Sequence, residues 1–389
     1  MKAFSFLEVF EKGCGLLQIC WDMSYDNLEV WSQVEPSLGE FGVLSDVAGV
    51  NAVPSLNTSD ARVPGRLKGR HEAFQEIGAE LYVVETVKEG YRLVWEDSPP
   101  PNSFTRNNKS ARLDLPWVRF EVDRLEGMGC VKKVFHQPKI VLPLSKVFSN
   151  KWRLVLDASR GLNPWCKKRG TALDGLAVIL NTIKEGDYLV TNDLDSGYWH
   201  VPLHPDHYDY VGFCVPDEEG VPVFYVWMVL VLGLRDAAHL FTRLIKPIMG
   251  RLREEEVRAQ IYIDDLIAAA ASREEALRSE KRAFELFGKC GYLFKPSKRS
   301  GEPSQEVRFL GLLVNTVKMT FRIPEDKPVK LRDALDQVAS RRRILVKVLA
   351  RLLGLLQSVR LATGPLVQVF WFECYFDLFL EFGNYFSFR

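Results

Sequence analysis

No stretch of this chain approaches the roughly 20 consecutive apolar residues that a helix needs to cross a bilayer. The longest apolar run, Phe224 to Leu234 (FYVWMVLVLGL), is far shorter and reads as a buried strand or hairpin. Charge of one sign is missing too: 51 Lys and Arg stand against 50 Asp and Glu, a net charge of +1. Composition therefore does not mark a general polyanion binder, and any nucleic acid has to be held by local patches. The seven cysteines (Cys14, Cys20, Cys130, Cys166, Cys214, Cys290 and Cys374) form no C-x-x-C pair and no His/Cys cluster, and their number is odd. They read as reduced thiols of an intracellular protein rather than a disulfide framework. The first residues, MKAFSFLEVFEKGCGLLQ, have their apolar stretch broken by Glu8, Glu11 and Lys12, which argues against a secretory leader. A soluble intracellular protein with no membrane partner is expected, so the sequons at Asn57 and Asn108 are read as unused. No internal repeat is present.

What the chain has is length and apolar content: 389 residues, 47% hydrophobic, enough for two or three packed cores in a multi-lobed protein. Residues 1 to about 60 resist assignment. From Gly65 to Val94 the pattern predicts short helices closed by Gly90, and SPPPNSF from Ser98 to Phe104 is a stiff linker taken as a first boundary. Val118, Val122 and Leu125 share one face of a helix predicted over Leu115 to Gly129. Strands are predicted at Lys139 to Leu142, Trp152 to Leu156, Tyr188 to Asp193 and Gln260 to Ile263, the last running through Asp264 and Asp265 into Leu266 to Ala270. The paired aspartates thus fall at a hairpin tip. Ser272 and Glu275 make a capping box for a helix whose Leu277, Ala283, Phe284 and Phe287 share a face. A helical region from about Val329 to Ala362 carries an apolar stripe of Leu345, Val348, Leu349, Leu352, Leu353 and Leu356 beside Arg341, Arg342, Arg343, Lys347 and Arg351.

Asp193, Asp264 and Asp265 all lie at predicted strand ends. Close carboxylates repel by about 4 kcal/mol for unit charges 4 Å apart at an effective dielectric near 20, and a bound cation relieves them. An Asp-Asp pair in a turn is, taken alone, usually a solvated hairpin tip. Its surroundings alter that reading. Tyr262-Ile263-Asp264-Asp265 matches the Y-x-D-D box of reverse transcriptases, and upstream Asp193-Leu-Asp-Ser-Gly-Tyr198-Trp-His-Val-Pro-Leu203 resembles their D-L-x-S-G-Y-x-x-I-x-L segment. The resemblance continues in chain order through Lys151-Trp-Arg153, Gly233-Leu-Arg-Asp-Ala-Ala-His-Leu-Phe241, Gly291 to Lys298, and Phe309-Leu310-Gly311. It covers roughly Asn102 to Pro365. FTRLIKP and RFLG are similar to the DIRS-type retrotransposon branch.

The resemblance implies an α+β right-hand polymerase fold, with fingers, a palm built on an antiparallel sheet, and a helical thumb. It implies an N-terminal extension over 1–101, fingers and palm over 102–325, and a thumb over 326–389. The implied activity is RNA-directed DNA synthesis from dNTPs on a template with primer. Two Mg2+ ions, with Mn2+ as substitute, would be held by Asp193, Asp264 and Asp265. Tyr198 would be the gate that excludes a 2′-hydroxyl, although a lone tyrosine is ordinarily core. Lys151, Arg153 and Gly233 would bind the nucleotide, where a basic pair is otherwise a solvated face. Lys298 would donate a proton to the leaving pyrophosphate, and Phe309, Leu310 and Gly311 would grip the primer. The arginine-rich helix would ride the duplex by phosphate contacts.

Departures are visible as well. Val231-Leu232 replaces the usual Pro-Phe before the Gly-Leu box, and Ala238 stands where a proline follows the box's alanine. Asp157 to Asn163 carries one residue more than D-x-R-x-x-N, so no role is assigned to Arg160. After Pro365 no carboxylate constellation of a ribonuclease H follows, as in a fragment. Two other readings stand beside the first: an RNA-making palm polymerase, and an inactive or domesticated retroelement remnant that only binds nucleic acid.

Overall fold

The structure is a computed structural model that describes residues 63–148, 151–170, 181–339 and 346–363. It divides into two compact units, one of residues 57–307 and one that includes Arg308 onward.

In the first unit, helices α1 (His71–Glu76) and α2 (Leu81–Glu89) come first, and Gly90 ends α2 with φ +101. A Cβ on Gly90 would stand 2.7 Å from the Leu203 backbone, so only glycine lets this turn approach so closely. Strand β1 (Ser103–Phe104) and helices α3 (Lys109–Arg112) and α4 (Leu115–Met128) follow. Helix α4 forms where the apolar spacing placed it: Asp114 accepts from the Trp117 amide at its start, Gly129 in the left-handed region ends it, and Val118, Val122 and Leu125 are buried. Then come β2 (Val131–Val134), β3 (Ile140–Val141), β4 (Leu144–Phe148), β5 (Trp152–Leu156), β6 (Tyr188–Asp193), β7 (Gly212–Pro216) and β8 (Pro222–Trp227). Helix α5 (Ala237–Glu254), the hairpin β9 (Ala259–Tyr262) and β10 (Asp265–Ala270), and helix α6 (Arg273–Lys289) complete the part that bears the site.

Among the described residues, three groups of strands organise this unit. One sheet runs β1-β3-β7-β8-β2, parallel at β1-β3 and β3-β7 and antiparallel elsewhere. The second is antiparallel, in the order β6-β10-β9, and β4-β5 form a separate hairpin. The proline-rich stretch from Ser98 runs within this unit, whose one core joins Leu67, Phe74, Val83 and Tyr91 to Val122, Phe213, Phe241 and Phe287.

The β6-β10-β9 sheet matters most for function. The middle of β6 and nearly all of β10 are buried, with Leu189, Val190 and Leu266 fully so. Each fully buried Leu or Val side chain contributes about 1.5–3 kcal/mol of transfer free energy. Ala268, Ala269 and Ala270 keep β10 thin where α6 packs on it. Ser272 caps α6 by accepting from the Glu275 amide at 3.2 Å. The buried face of α6 is Ala276, Glu280, Ala283, Leu286 and Phe287; Leu277 and Phe284 are only partly covered. A carboxylate therefore stands in the middle of an apolar stripe.

From Arg308, midway through β11 (Glu306–Phe309), the second unit follows with β12 (Leu312–Asn315) and β13 (Thr320–Arg322) in one sheet with β11, then α7 (Asp326–Ala339) and α8 (Val346–Thr363). The expected helical region is thus two helices packed through Leu331, Ala334, Val338, Leu352, Leu353, Leu356 and Val359. Arg341, Arg342, Arg343 and Leu345 lie outside the described residues, as do residues 1–62 and with them Asn57. Among the described residues the class is α+β, and no helix is long and apolar enough to cross a membrane. Cys130, Cys166, Cys214 and Cys290 are free thiols, and burial pushes those of Cys130, Cys166 and Cys290 up to about 12.

Candidate active site

The register of the β6-β10-β9 sheet puts Asp265 directly opposite Asp193. Asp265 is also paired with Tyr262, so Ile263 and Asp264 form the two-residue turn of the β9-β10 hairpin. Ile263 has φ +57. A positive φ at the first turn residue and not the second is the pattern of a type II′ turn, which normally places glycine there. A β-branched residue in that region costs about 1–3 kcal/mol, and such strain gathers at functional sites. The strand expected to include Ile263 ends one residue earlier for this reason. The turn is fastened to the neighbouring strand by the Leu194 amide, which donates to the Asp264 carbonyl at 2.8 Å.

All three carboxyls are held above their ordinary range. Burial is the main cause at Asp193. At Asp264 burial acts first and the Asp193 charge second. Asp265 is pushed up to about 6 by burial, then by Asp264 and Asp193. Against this stand Lys298, whose Nζ lies 3.9 Å from Asp193 Oδ2, and Arg153, whose charge lowers Asp264. These are hard oxygen donors that repel one another, which in kind suits a divalent cation such as Mg2+. Among the described residues, however, no three His, Cys, Asp or Glu stand arranged to hold a metal ion. The aspartates are brought together without being closed into a ready ligand set.

Tyr198 lies on the 3-10 turn Gly197–His200 that follows Ser196, itself left-handed at φ +55. Its ring meets Phe241 edge to face, centroids 5.0 Å apart, and burial followed by the Asp264 charge raises its hydroxyl. A Cβ on Gly197 would stand 2.9 Å from Phe241 Cζ and 3.5 Å from Asp264 Cβ, so a residue without a side chain is needed beside the carboxylates.

Lys151 and Arg153 are exposed on the β4-β5 hairpin, where Arg153 pairs with Val147. Gly233 has φ +108, and a Cβ there would fall 2.3 Å from the Leu156 carbonyl oxygen. Its own carbonyl accepts from Asn163 Nδ2 at 2.7 Å, while Asn163 Oδ1 accepts from the Arg235 amide at 2.9 Å. Asn163 thus grips the Gly-Leu box from both sides. Asn108, the second sequon, donates its amide to Ser145 Oγ and Asp157 Oδ2, which gives it a packing role.

In the second unit Phe309 is buried, and Leu310 (φ +45) and Gly311 (φ +76) form the turn between β11 and β12. A Cβ on Gly311 would meet Lys327 Nζ at 2.8 Å. The expected Phe-Leu-Gly hairpin is present within that unit.

Sequence reasoning missed three supporting groups. Asn163 was hidden by the irregular spacing after Asp157. His200 is wholly buried, with Nδ1 3.0 Å from the Gly197 carbonyl oxygen and Nε2 accepting from the Leu293 amide. Burial lowers it to about 4, so it stays neutral with the proton on Nδ1. Glu280 interrupts an apolar face, a signal that was legible and passed over.

Residues 143–314 match the family described as reverse transcriptase (RNA-dependent DNA polymerase). The Pro-Pol polyprotein of Simian foamy virus type 1 is 29% identical over 217 residues, which is 55% of this chain and 17% of that protein. The Gag-Pro-Pol polyprotein of Human T-cell leukemia virus 2 is 23% identical over 202 residues, 51% of this chain and 14% of that protein. The chain thus spans less than a fifth of the length of these relatives. Among solved structures, a foamy viral protease-reverse transcriptase in complex with RNA/DNA hybrid aligns with TM-score 0.53 at 19% identity, covering 75% of this chain and 40% of the other. The same protein type in complex with double-stranded DNA aligns with TM-score 0.53 at 20% identity, covering 75% and 61%. At that identity the likeness speaks for the fold, which is that of a polymerase. Residues 143–314, less than half of the chain, thus match the reverse transcriptase family, and the chain is similar over this stretch to retroviral Pol polyproteins.

Proposed function

We propose that this chain is an RNA-directed DNA polymerase that extends a primer with dNTPs on an RNA or DNA template. The observation that carries the reading is the pairing of Asp265 with Asp193 across two buried strands, with Asp264 in the strained turn between β9 and β10 and Tyr198 packed alongside.

Asp193 and Asp264 would hold two Mg2+ ions, or Mn2+, and Asp265 would complete the carboxylate set. Bound there, the ions would supply Lewis-acid stabilisation of the charge that develops in phosphoryl transfer. The remaining work belongs to the chain's own groups. Arg153 and Lys151 project from the β4-β5 hairpin as charge-assisted donors for a triphosphate, with Arg153 already within electrostatic reach of Asp264. Lys298, an ammonium beside Asp193, holds a proton for the leaving pyrophosphate. Tyr198, packed edge to face with Phe241 and within electrostatic reach of Asp264, would stand where a 2′-hydroxyl on the sugar collides with it. Gly233 gives the nucleotide an open stretch of backbone, and Phe309, Leu310 and Gly311 hold the primer end. FTRLIKP and RFLG support a place among retrotransposon polymerases of the DIRS type.

Primer extension tests this directly. The parent chain is expected to incorporate dNTPs on an RNA template with Mg2+ or Mn2+, and Asp264→Asn to lose at least about 100-fold of that rate. Equal incorporation by the two proteins would reject the site, and a preference for rNTPs would reject the DNA-synthesis reading.

A further inference from the structure

Glu280 is 5% exposed and lies midway along an apolar helix face made by Ala276, Ala283, Leu286 and Phe287. A buried carboxylate in such a place is costly unless its partners satisfy it. Here they do. Arg299 binds it in a fork, Nε to Oε1 at 2.7 Å and Nη2 to Oε2 at 2.6 Å, and Asn192 Nδ2 donates to Oε1 at 3.0 Å. An apolar side chain would continue the stripe without this arrangement, so the carboxylate asks for a reason beyond packing.

The positions of its two partners suggest one. Asn192 immediately precedes Asp193 at the end of β6, and in a strand the two side chains point to opposite faces. Arg299 immediately follows Lys298, which ends the 3-10 turn Pro296–Lys298. The loop bearing Lys298 is fastened upstream by the Lys295 amide, which donates to the Asp193 carbonyl at 2.8 Å. Downstream, the Ser300 amide donates to the Thr191 carbonyl at 3.0 Å, and Ser300 Oγ accepts from the Thr191 amide at 2.9 Å. Between these backbone anchors, Arg299 and Glu280 form the side-chain tie next to Lys298. That lysine reaches Asp193 at 3.9 Å while remaining largely exposed, so its direction depends on the loop beneath it.

We propose that Glu280 is a positioning residue for the polymerase reaction: through Arg299 it fixes the Lys295–Ser300 loop so that Lys298 is aimed at Asp193 and at the phosphates leaving beside it, while through Asn192 it steadies the end of the strand that carries Asp193. The inference rests on the polymerase reading above. Glu280 touches no reactant; it acts through Arg299 on Lys298. A misplacement of about 1 Å in a reacting constellation costs up to about 100-fold in rate, which makes such a tether kinetically visible.

Glu280→Gln keeps the shape and the oxygen facing Asn192 but loses the charged fork. Arg299→Lys keeps the charge, lies nearer the surface, and loses the fork from the other side, so it serves if the buried variant does not fold. Each is measured in the full chain by single-turnover dNTP incorporation at saturating nucleotide, with Lys298 present and in a Lys298→Ala background. Hydrogen exchange of residues 291–300 is measured in the same proteins without metal or substrate. With Lys298 present the maximal rate is expected to fall about tenfold or more, in the Lys298→Ala background less than about twofold. Exchange across 295–300 is expected to quicken before any ligand is added. An equal fall in both backgrounds would make Glu280 merely structural and overturn the inference, as would unchanged exchange and rate. A parent chain no more active than Asp264→Asn overturns the polymerase reading and this inference together, whereas an active parent with equal falls overturns the tether alone.

Discussion

Replacing Asp265 by asparagine removes a charge that the folded protein holds at a loss. Its carboxyl lies near 3.8 in an unfolded chain and is pushed up to about 6 in the fold, by burial first and then by Asp264 and Asp193. The sign follows from proton linkage. Between these two values the folded state binds the proton and the unfolded state does not, so stability is greatest at the acid end and is lost as pH rises through 6. Two pH units correspond to about 3 kcal/mol at 1.36 kcal/mol per unit. Because the group is only half-buried, solvent screening reduces this to about 1–2 kcal/mol. For a unit of this size that is roughly 2–8 °C in melting temperature. Thermal melts in chelator from pH 4 to 8.5 should show Asp265→Asn more stable than the parent at pH 8, with the gap closing as pH falls to about 4. Adding Mg2+ should raise the parent more than the variant, since a ligand at about 100 times its Kd adds about 2.7 kcal/mol to the state that binds it. A variant no more stable than the parent at pH 8 in chelator, or a gap indifferent to pH, would refute the crowding of charge on which the metal reading leans.

Two further substitutions probe the walls of the site. Gly233→Ala puts a methyl 2.3 Å from the Leu156 carbonyl oxygen at φ +108, and denaturant melts should show a loss of at least about 1–3 kcal/mol together with reduced dNTP incorporation. Tyr198→Val should admit rNTPs at least about tenfold more readily relative to dNTPs in competition assays, since removing even one methylene from a pocket shifts discrimination by that order and this change removes a whole ring. The same variant should cost about 0.5–1.5 kcal/mol through the lost edge-to-face contact with Phe241.

Much of the site was legible because its signals are local. The strand Tyr188–Asp193, the hairpin that turns at Asp264, and helices α4 and α6 with their Gly129 and Ser272 terminators all follow from patterns within about fifteen residues. What stayed hidden is non-local. Nothing near Ser103 or Ile140 announces that those short strands run parallel in a five-stranded sheet with β7 between β3 and β8. Nor does Gly90-Tyr91 announce that it pairs with Leu203 and so brings the residues upstream of the proline-rich stretch into the same core. Glu280 and Arg299 are nineteen residues apart, and only the packing of α6 on the β6-β10-β9 sheet makes them one group.

The departures in the Gly-Leu box illustrate how such non-local contacts can stand in for a missing local signal. A proline after the box's alanine would set backbone geometry at the start of a helix by itself. This chain has Ala238 there, yet α5 begins at Ala237 all the same, with the Ala238 carbonyl accepting from Thr242 Oγ1. Asp236, at the junction, is buried and turned away from capping the helix; it accepts from the Tyr91 hydroxyl at 3.0 Å. Burial raises both groups, which favours the tyrosine as donor and makes the bond hard to ionise away. On the other side Asn163 holds Gly233 and Arg235, and the Arg235 guanidinium donates to the Cys166 carbonyl. The box is therefore clamped from Tyr91 and from Asn163, two positions far from it in sequence, and its φ +108 glycine survives the loss of the proline.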